Sequence, residues 1–177
     1  VGQFGHTYAF SSVARDAVGH LELLPGSPDT STSTGIPGSI IWDGEGNDGE
    51  WSNALNWSLD QIPDPNSDVI IGSGAGVVTL RQAGLTLHTI IADSMLVILD
   101  GSLTMTDSAA FTGGLLIERS TLRLAGESNA AGVVTNAGLL ELASTSRLSI
   151  VGEYRETPAG RLRSLIAGPS HYGWLSA

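Results

Sequence analysis

Apolar and polar residues alternate in short bursts along most of this chain, and the bursts are too brief for helices. In Tyr8-Ala9-Phe10-Ser11-Ser12-Val13-Ala14 the alternation puts Tyr8, Phe10, Ser12 and Ala14 on one face and Ala9, Ser11 and Val13 on the other, which predicts a strand. It runs into Arg15-Asp16-Ala17-Val18-Gly19-His20, with the Asp and Gly of a turn, then Leu21-Glu22-Leu23-Leu24, a Pro25-Gly26 break and a polar run from Pro28 to Gly35. From Ser67 onward apolar triplets to quintets recur between Gly, Asp, Asn and Ser. They predict strands at 69–71, 77–80, 85–87, 89–91, 96–99, 103–105, 115–117, 121–124, 133–135, 139–142 and 147–151. The chain reads as all-β.

Strands this short do not suit a sandwich, but they suit the sides of a coil in a repeat array. Gly114-Leu115-Leu116-Ile117-Glu118 through Gly126 can be laid over Gly138-Leu139-Leu140-Glu141-Leu142 through Gly152, with an offset of 24 at the start and 26 at the closing glycine. A weaker copy lies at Leu96 to Met105, and Asn136-Ala137-Gly138 has the look of the turn before a rung. The expectation is a parallel β-solenoid, or β-helix, whose coils of about two dozen residues bury Leu, Ile and Val in shared columns.

Three zones follow. Residues 67–177 are the coils. Residues 36–66 are a Trp- and Gly-rich cap, since Trp42, Trp51 and Trp57 fall within 16 positions and bulky rings under a Gly-rich loop can cover the apolar end of a first coil. Residues 1–35 form a β-hairpin-like remnant, the terminal strands of a sandwich or a strand-donor segment. Two strands hold no core alone in water, so this zone must dock on the rest of the chain or complete a partner's sheet. At the far end, Trp174 is expected to join Tyr154 and Tyr172 as terminal core.

Three stretches carry resemblances. Tyr8, Phe10, Ser12, Val13, Ala14, Asp16, Gly19 and Glu22 fit a "Y-x-F-x-S-V-A-x-D-x-x-G-x-x-E" pattern that resembles the last strands of fibronectin-III or immunoglobulin-like domains of bacterial surface proteins. Trp42, Trp51, Asn56-Trp57 and Pro63 resemble the Trp-rich entry segment of secreted autotransporter-like and planctomycete-type β-solenoids, although nine positions separate Trp42 from Trp51 here. Gly152, Tyr154, Thr157, Gly160, Leu162, Gly168, Tyr172 and Leu175 resemble a late coil of the same proteins. These likenesses imply a large secreted bacterial surface protein, and a chain that starts at Val1 without Met reads as an excised or processed piece of one.

Composition narrows the partners. The net charge is −10, and all eight basic residues are arginines, so a basic nucleic-acid footprint is absent. No apolar run reaches the roughly 18 residues of a membrane span. With no cysteine, disulfides and thiolate metal sites are excluded. Cations, sugars and other proteins remain.

For a cation the candidates are Asp43, Glu45, Asn47 and Asp48, because hard oxygen ligands on a Gly-rich loop suit calcium, the one cofactor the sequence offers. The spacing is not that of an EF-hand, and a solvated turn carrying surface carboxylates is the competing reading. For a sugar the candidates are Trp42, Trp51 and Trp57 as a stacking platform, against burial in the cap. His6, His20, His88 and His171 lie in no nucleophile-elbow or metal motif, His88 being read as a rung's outward residue. Asp93, Asp100 and Asp107 recur every seven residues as turn formers at strand ends. The expected function is a non-catalytic structural or adhesive extracellular scaffold, associating with itself, with neighbouring domains of the same long chain or with polysaccharide. The alternative is a carbohydrate-binding or polysaccharide-cleaving β-helix.

Overall fold

A computed structural model describes residues 7–23, 25–33 and 38–177. The sequence-derived boundary at residue 35, His6 and Leu24 therefore lie outside the described residues. The chain divides into two compact units, Val1–Pro37 and Gly38–Ala177.

In the first unit β1 (Thr7–Phe10) pairs antiparallel with β2 (Thr30–Ser33). The strand expected to reach Ala14 leaves the ladder at Phe10, and Arg15 then bridges Leu21 across a turn. Asp16 closes that turn by accepting from the amides of Val18 and His20, both at 2.9 Å. Phe10, Val18, Leu21 and Leu23 are all exposed, as expected of two strands without a facing layer.

The second unit opens with β3 (Ser39–Ile41) and continues as about five coils of a parallel β-solenoid. The first coil carries β4 (Asp68–Ile71), β5 (Val77–Leu80) and β6 (Leu85–Leu87). The second carries β7 (Thr89–Ala92), β8 (Met95–Leu99) and β9 (Ser102–Met105). In the third and fourth, β10 (Ala109–Phe111) and β12 (Glu127–Ala130) are each followed by one ten-residue strand, β11 (Leu115–Leu124) and β13 (Val133–Leu142). The fifth has β14 (Arg147–Ile150), β15 (Glu153–Glu156) and β16 (Arg161–Ser164), and is followed by a hairpin of β17 (Ile166–Gly168) and β18 (His171–Tyr172), then β19 (Trp174–Ser176).

Each coil has three sides. Face A stacks β3, β4, β7, β10, β12, β14 and β19. Face B stacks β5, β8, the first half of β11, the first half of β13, and β15. Face C stacks β6, β9, the second halves of β11 and β13, and β16. The register between Glu118 and Thr121 shifts where β11 turns the corner from face B to face C.

The register gives the true period. Leu115 pairs with Leu96 below and Val134 above, a step of 19 each way. This corrects the offset of 24 to 26 expected from the sequence. That alignment set face B of the third coil over face C of the fourth, and face C of the third over face A of the fifth. One side is about six residues long, so the error was a slip of one face, which the similar Leu-rich composition of every side does not penalise.

Alternation does the rest. Inward positions form columns running through the coils, for example Val78, Leu96, Leu115 and Val134 on face B and Leu85, Leu103, Leu122 and Leu140 on face C. All of these are buried in one cluster. On face A the column Ile71, Ala92, Phe111, Ala130, Ile150 sets one large ring between two alanines, so volume rather than residue type is conserved through the stack.

Candidate functional site

The loop of the calcium candidates is built from its own hydrogen bonds. Gly44 and Gly49, at φ 72° and 70°, and Asn47 at 55° take the left-handed conformations that the loop needs. Asp48 accepts from the Glu50 amide at 3.0 Å and from the side-chain amides of Asn56 and Asn53 at 2.6 and 2.8 Å. These bonds, the Glu50 amide foremost, hold its carboxyl below the usual carboxylate range. Asp43 accepts from the Glu45 amide, and Asn47 donates to the Glu45 carbonyl. Asp43, Glu45, Asn47 and Asp48 thus brace a loop, and among the described residues no group of three or more His, Asp or Glu is placed to hold a metal ion.

Trp42, Trp51 and Trp57 are buried, and they pack edge to face with centroids 4.8 Å (Trp42 to Trp57) and 4.5 Å (Trp51 to Trp57) apart. The Trp57 Nε1 donates to the Trp51 carbonyl at 2.8 Å. The segment is tied to the edge of the first coil by a parallel bridge from Glu50 to Thr79 and by the Trp51 amide donating to the Thr79 carbonyl at 2.9 Å. All three rings share the buried cluster of the coils, so none has an open face on which a sugar could stack.

The three aspartates spaced by seven mark the three corners of the second coil, and each reaches a side chain 19 residues away on a neighbouring coil. Asp93 accepts from the Thr112 hydroxyl, Asp100 from Arg119 in a two-pronged bond at 2.7 and 3.0 Å, and Asp107 lies 3.6 Å from His88 Nε2. His88 is a corner residue whose Nδ1 also meets Asp68 at 2.8 Å, so it spans three coils. On face C, Glu141 sits between Arg123 and Arg163 at 3.4 and 3.2 Å. These groups tie coil to coil.

One patch is different. Glu127, Arg147 and Trp174 are register partners on the outward side of face A, with Asn129 and Ser149 in the next outward column. Ser108, Glu127, Ser128, Asn129, Arg147 and Ser149 line an open groove of about 400 Å³. The step from Arg147 to Trp174 is 27 residues, and the extra length is spent on the β17–β18 hairpin, which brings Tyr172 beside Trp174. Their rings lie 6.3 Å apart at 21°. Trp174 is 52% exposed and Tyr172 46%, which corrects the expectation that they form terminal core with Tyr154. The inward residue of β19 is Leu175, in register with Leu148. Tyr154 instead stands half-buried over the core, donating to Glu156 at 2.7 Å and accepting from Asn136, and burial pushes its hydroxyl up to about 12.

The sequence reading did not single out this groove, because its residues come from four coils and only the 19-residue register aligns them. An indole next to Leu in a strand does signal opposite faces, and that was the available clue.

No family model, curated protein or solved structure matches the chain.

Proposed function

We propose that this chain is a non-catalytic scaffold or adhesive segment of a large secreted bacterial surface protein of the autotransporter type, lying outside the cell. Its partners are neighbouring domains of the same long chain or copies of itself. The observation that carries this reading is the unbroken stacking: inward columns and corner ties run from coil to coil, so each coil supports only its neighbours and the array extends by repetition. The carboxylates that a cleaving site would need as acid and base are spent on structure, Glu141 between two arginines and Asp68 on Thr89 and His88.

A scaffold tolerates a change of length. Because Ala109 pairs with Ser128, removing residues 109–127 takes out one coil in register. Displayed between an anchor and a reporter, the shortened chain should fold and hold the reporter about 4.8 Å closer, with no loss of reporter attachment. Release of reducing ends from a polysaccharide by the intact chain, or collapse of the shortened one, would speak against the scaffold reading.

A further inference from the structure

The groove on face A has hydrogen-bonding capacity that the fold leaves unused. All eight arginines lie among the described residues, and seven have a hydrogen bond or ion pair: Arg15 to the Gly19 carbonyl, Arg81 to Glu50, Arg119 to Asp100, Arg123 and Arg163 to Glu141, Arg155 to Glu153, and Arg161 to the Gly160 carbonyl. Arg147 has neither. Its guanidinium lies 5.9 Å from the centre of the Trp174 ring and bonds to no oxygen, although Glu127 is its register partner one coil below. In a chain with ten more negative than positive charges an unpaired arginine needs a reason. The side chains of Glu127 and Asn129 likewise have no hydrogen-bond partner among the described residues. Half-open aromatic rings with no apolar neighbour to cover them complete the patch.

We infer that this outer face binds a neutral polysaccharide, with hexopyranose units lying along the stack against Trp174 and Tyr172 and their hydroxyls bonded by Arg147, Glu127 and Asn129. The sugar's C–H faces are apolar and its edge is a row of hydroxyls, and the patch has the matching pair of properties: flat rings at one end, mixed donors and acceptors at the other. Parallel strands put successive coils about 4.8 Å apart, so the column from Glu127 through Arg147 to Trp174 spans roughly 10 Å, the length of about two sugar units. The charge pattern selects a neutral chain. Glu127 stands in the groove itself, and the net charge of −10 opposes a polyanion as it approaches. This site is independent of the scaffold reading, since the coil ties use other residues.

The test uses the full chain and hexaoses of β-linked glucose, α-linked glucose and mannose, with a hexauronate as the charged comparison. The other three tryptophans are buried, so quenching or a shift of fluorescence that disappears in Trp174→Ala reports this site alone. The expected result is saturable binding of at least one neutral hexaose, weakened about tenfold or more by Trp174→Ala, the scale of losing one aromatic contact. Arg147→Ala and Asn129→Ala should weaken it as well, and because both side chains point outward, the thermal unfolding of those variants should match the parent. Absence of binding to every neutral hexaose at millimolar concentration would overturn the inference. So would binding that survives Trp174→Ala and Arg147→Ala together, or preference for the hexauronate.

Discussion

Asp48 shows how much one side chain can organise when its neighbours supply the donors. Three donors converge on a carboxylate that is itself exposed, and the loop they close lies over the buried indoles. Since folding lowers its pKa below the ordinary 3.8, the loop's contribution is complete above that value and is lost as pH falls through the lower folded value. Asp100, hydrogen-bonded by Arg119, and Glu153, hydrogen-bonded by Arg155, shift in the same direction, so the whole chain loses stability in acid. The difference between the parent and Asp48→Asn isolates the cap. An amide has a single carbonyl to offer three donors, so the variant's tryptophan emission should be red-shifted already at neutral pH and flatter on acidification. Coincident pH profiles for the two proteins would remove Asp48 from the cap's support.

At the scale of the element, legibility followed size. The strands rich in Leu, Ile and Val were visible from their alternation, whereas β10 and β12, Ala-Ala-Phe and Glu-Ser-Asn-Ala, were not. They are strands because neighbours in the stack impose the ladder, and their small residues make room for one large one. Phe111 lies fully buried between Ala92 and Ala130, and no side chain in that column can swing in to replace it. Phe111→Ala should therefore cost about 3–5 kcal/mol, the range for an aromatic deleted from a core that cannot collapse, read from denaturant unfolding of the full chain. A loss under about 1 kcal/mol would mean that the column repacks. Glycine at the corners obeys the same crowding: a methyl group on Gly101 would sit 2.6 Å from the Gln82 carbonyl of the coil below.

For the whole molecule, the sequence pointed to stacking but misjudged its period, and the candidate site suffered for it. With a coil of two dozen residues, Glu127, Arg147 and Trp174 fall on different sides; with 19 they line up. The Trp-rich segment, legible as a cap from its spacing alone, was indeed packed against the first coil, while the exposed indole that matters for binding sits near the other end. The corner aspartates were visible as turn formers, but their role as ties could not be read without knowing which side chain lies one coil away. At the C-terminal end β15, β16 and β19 each have a strand partner on one side only among the described residues, the kind of edge on which a further coil or a second molecule can add.

The most direct test of the stacked, three-sided coil is a pair of disulfides, made straightforward by a chain that has no cysteine of its own. Thr104 and Arg123 face outward and are register partners on face C, 19 residues apart. Arg123 and Ser149 are the partners that the 26-residue offset would bring together. Oxidation should close Thr104→Cys/Arg123→Cys rapidly in the folded monomer and leave Arg123→Cys/Ser149→Cys as free thiols, since only neighbouring strands approach within disulfide reach. Closure of the second pair, or failure of both, would contradict the 19-residue coil and everything built on its register.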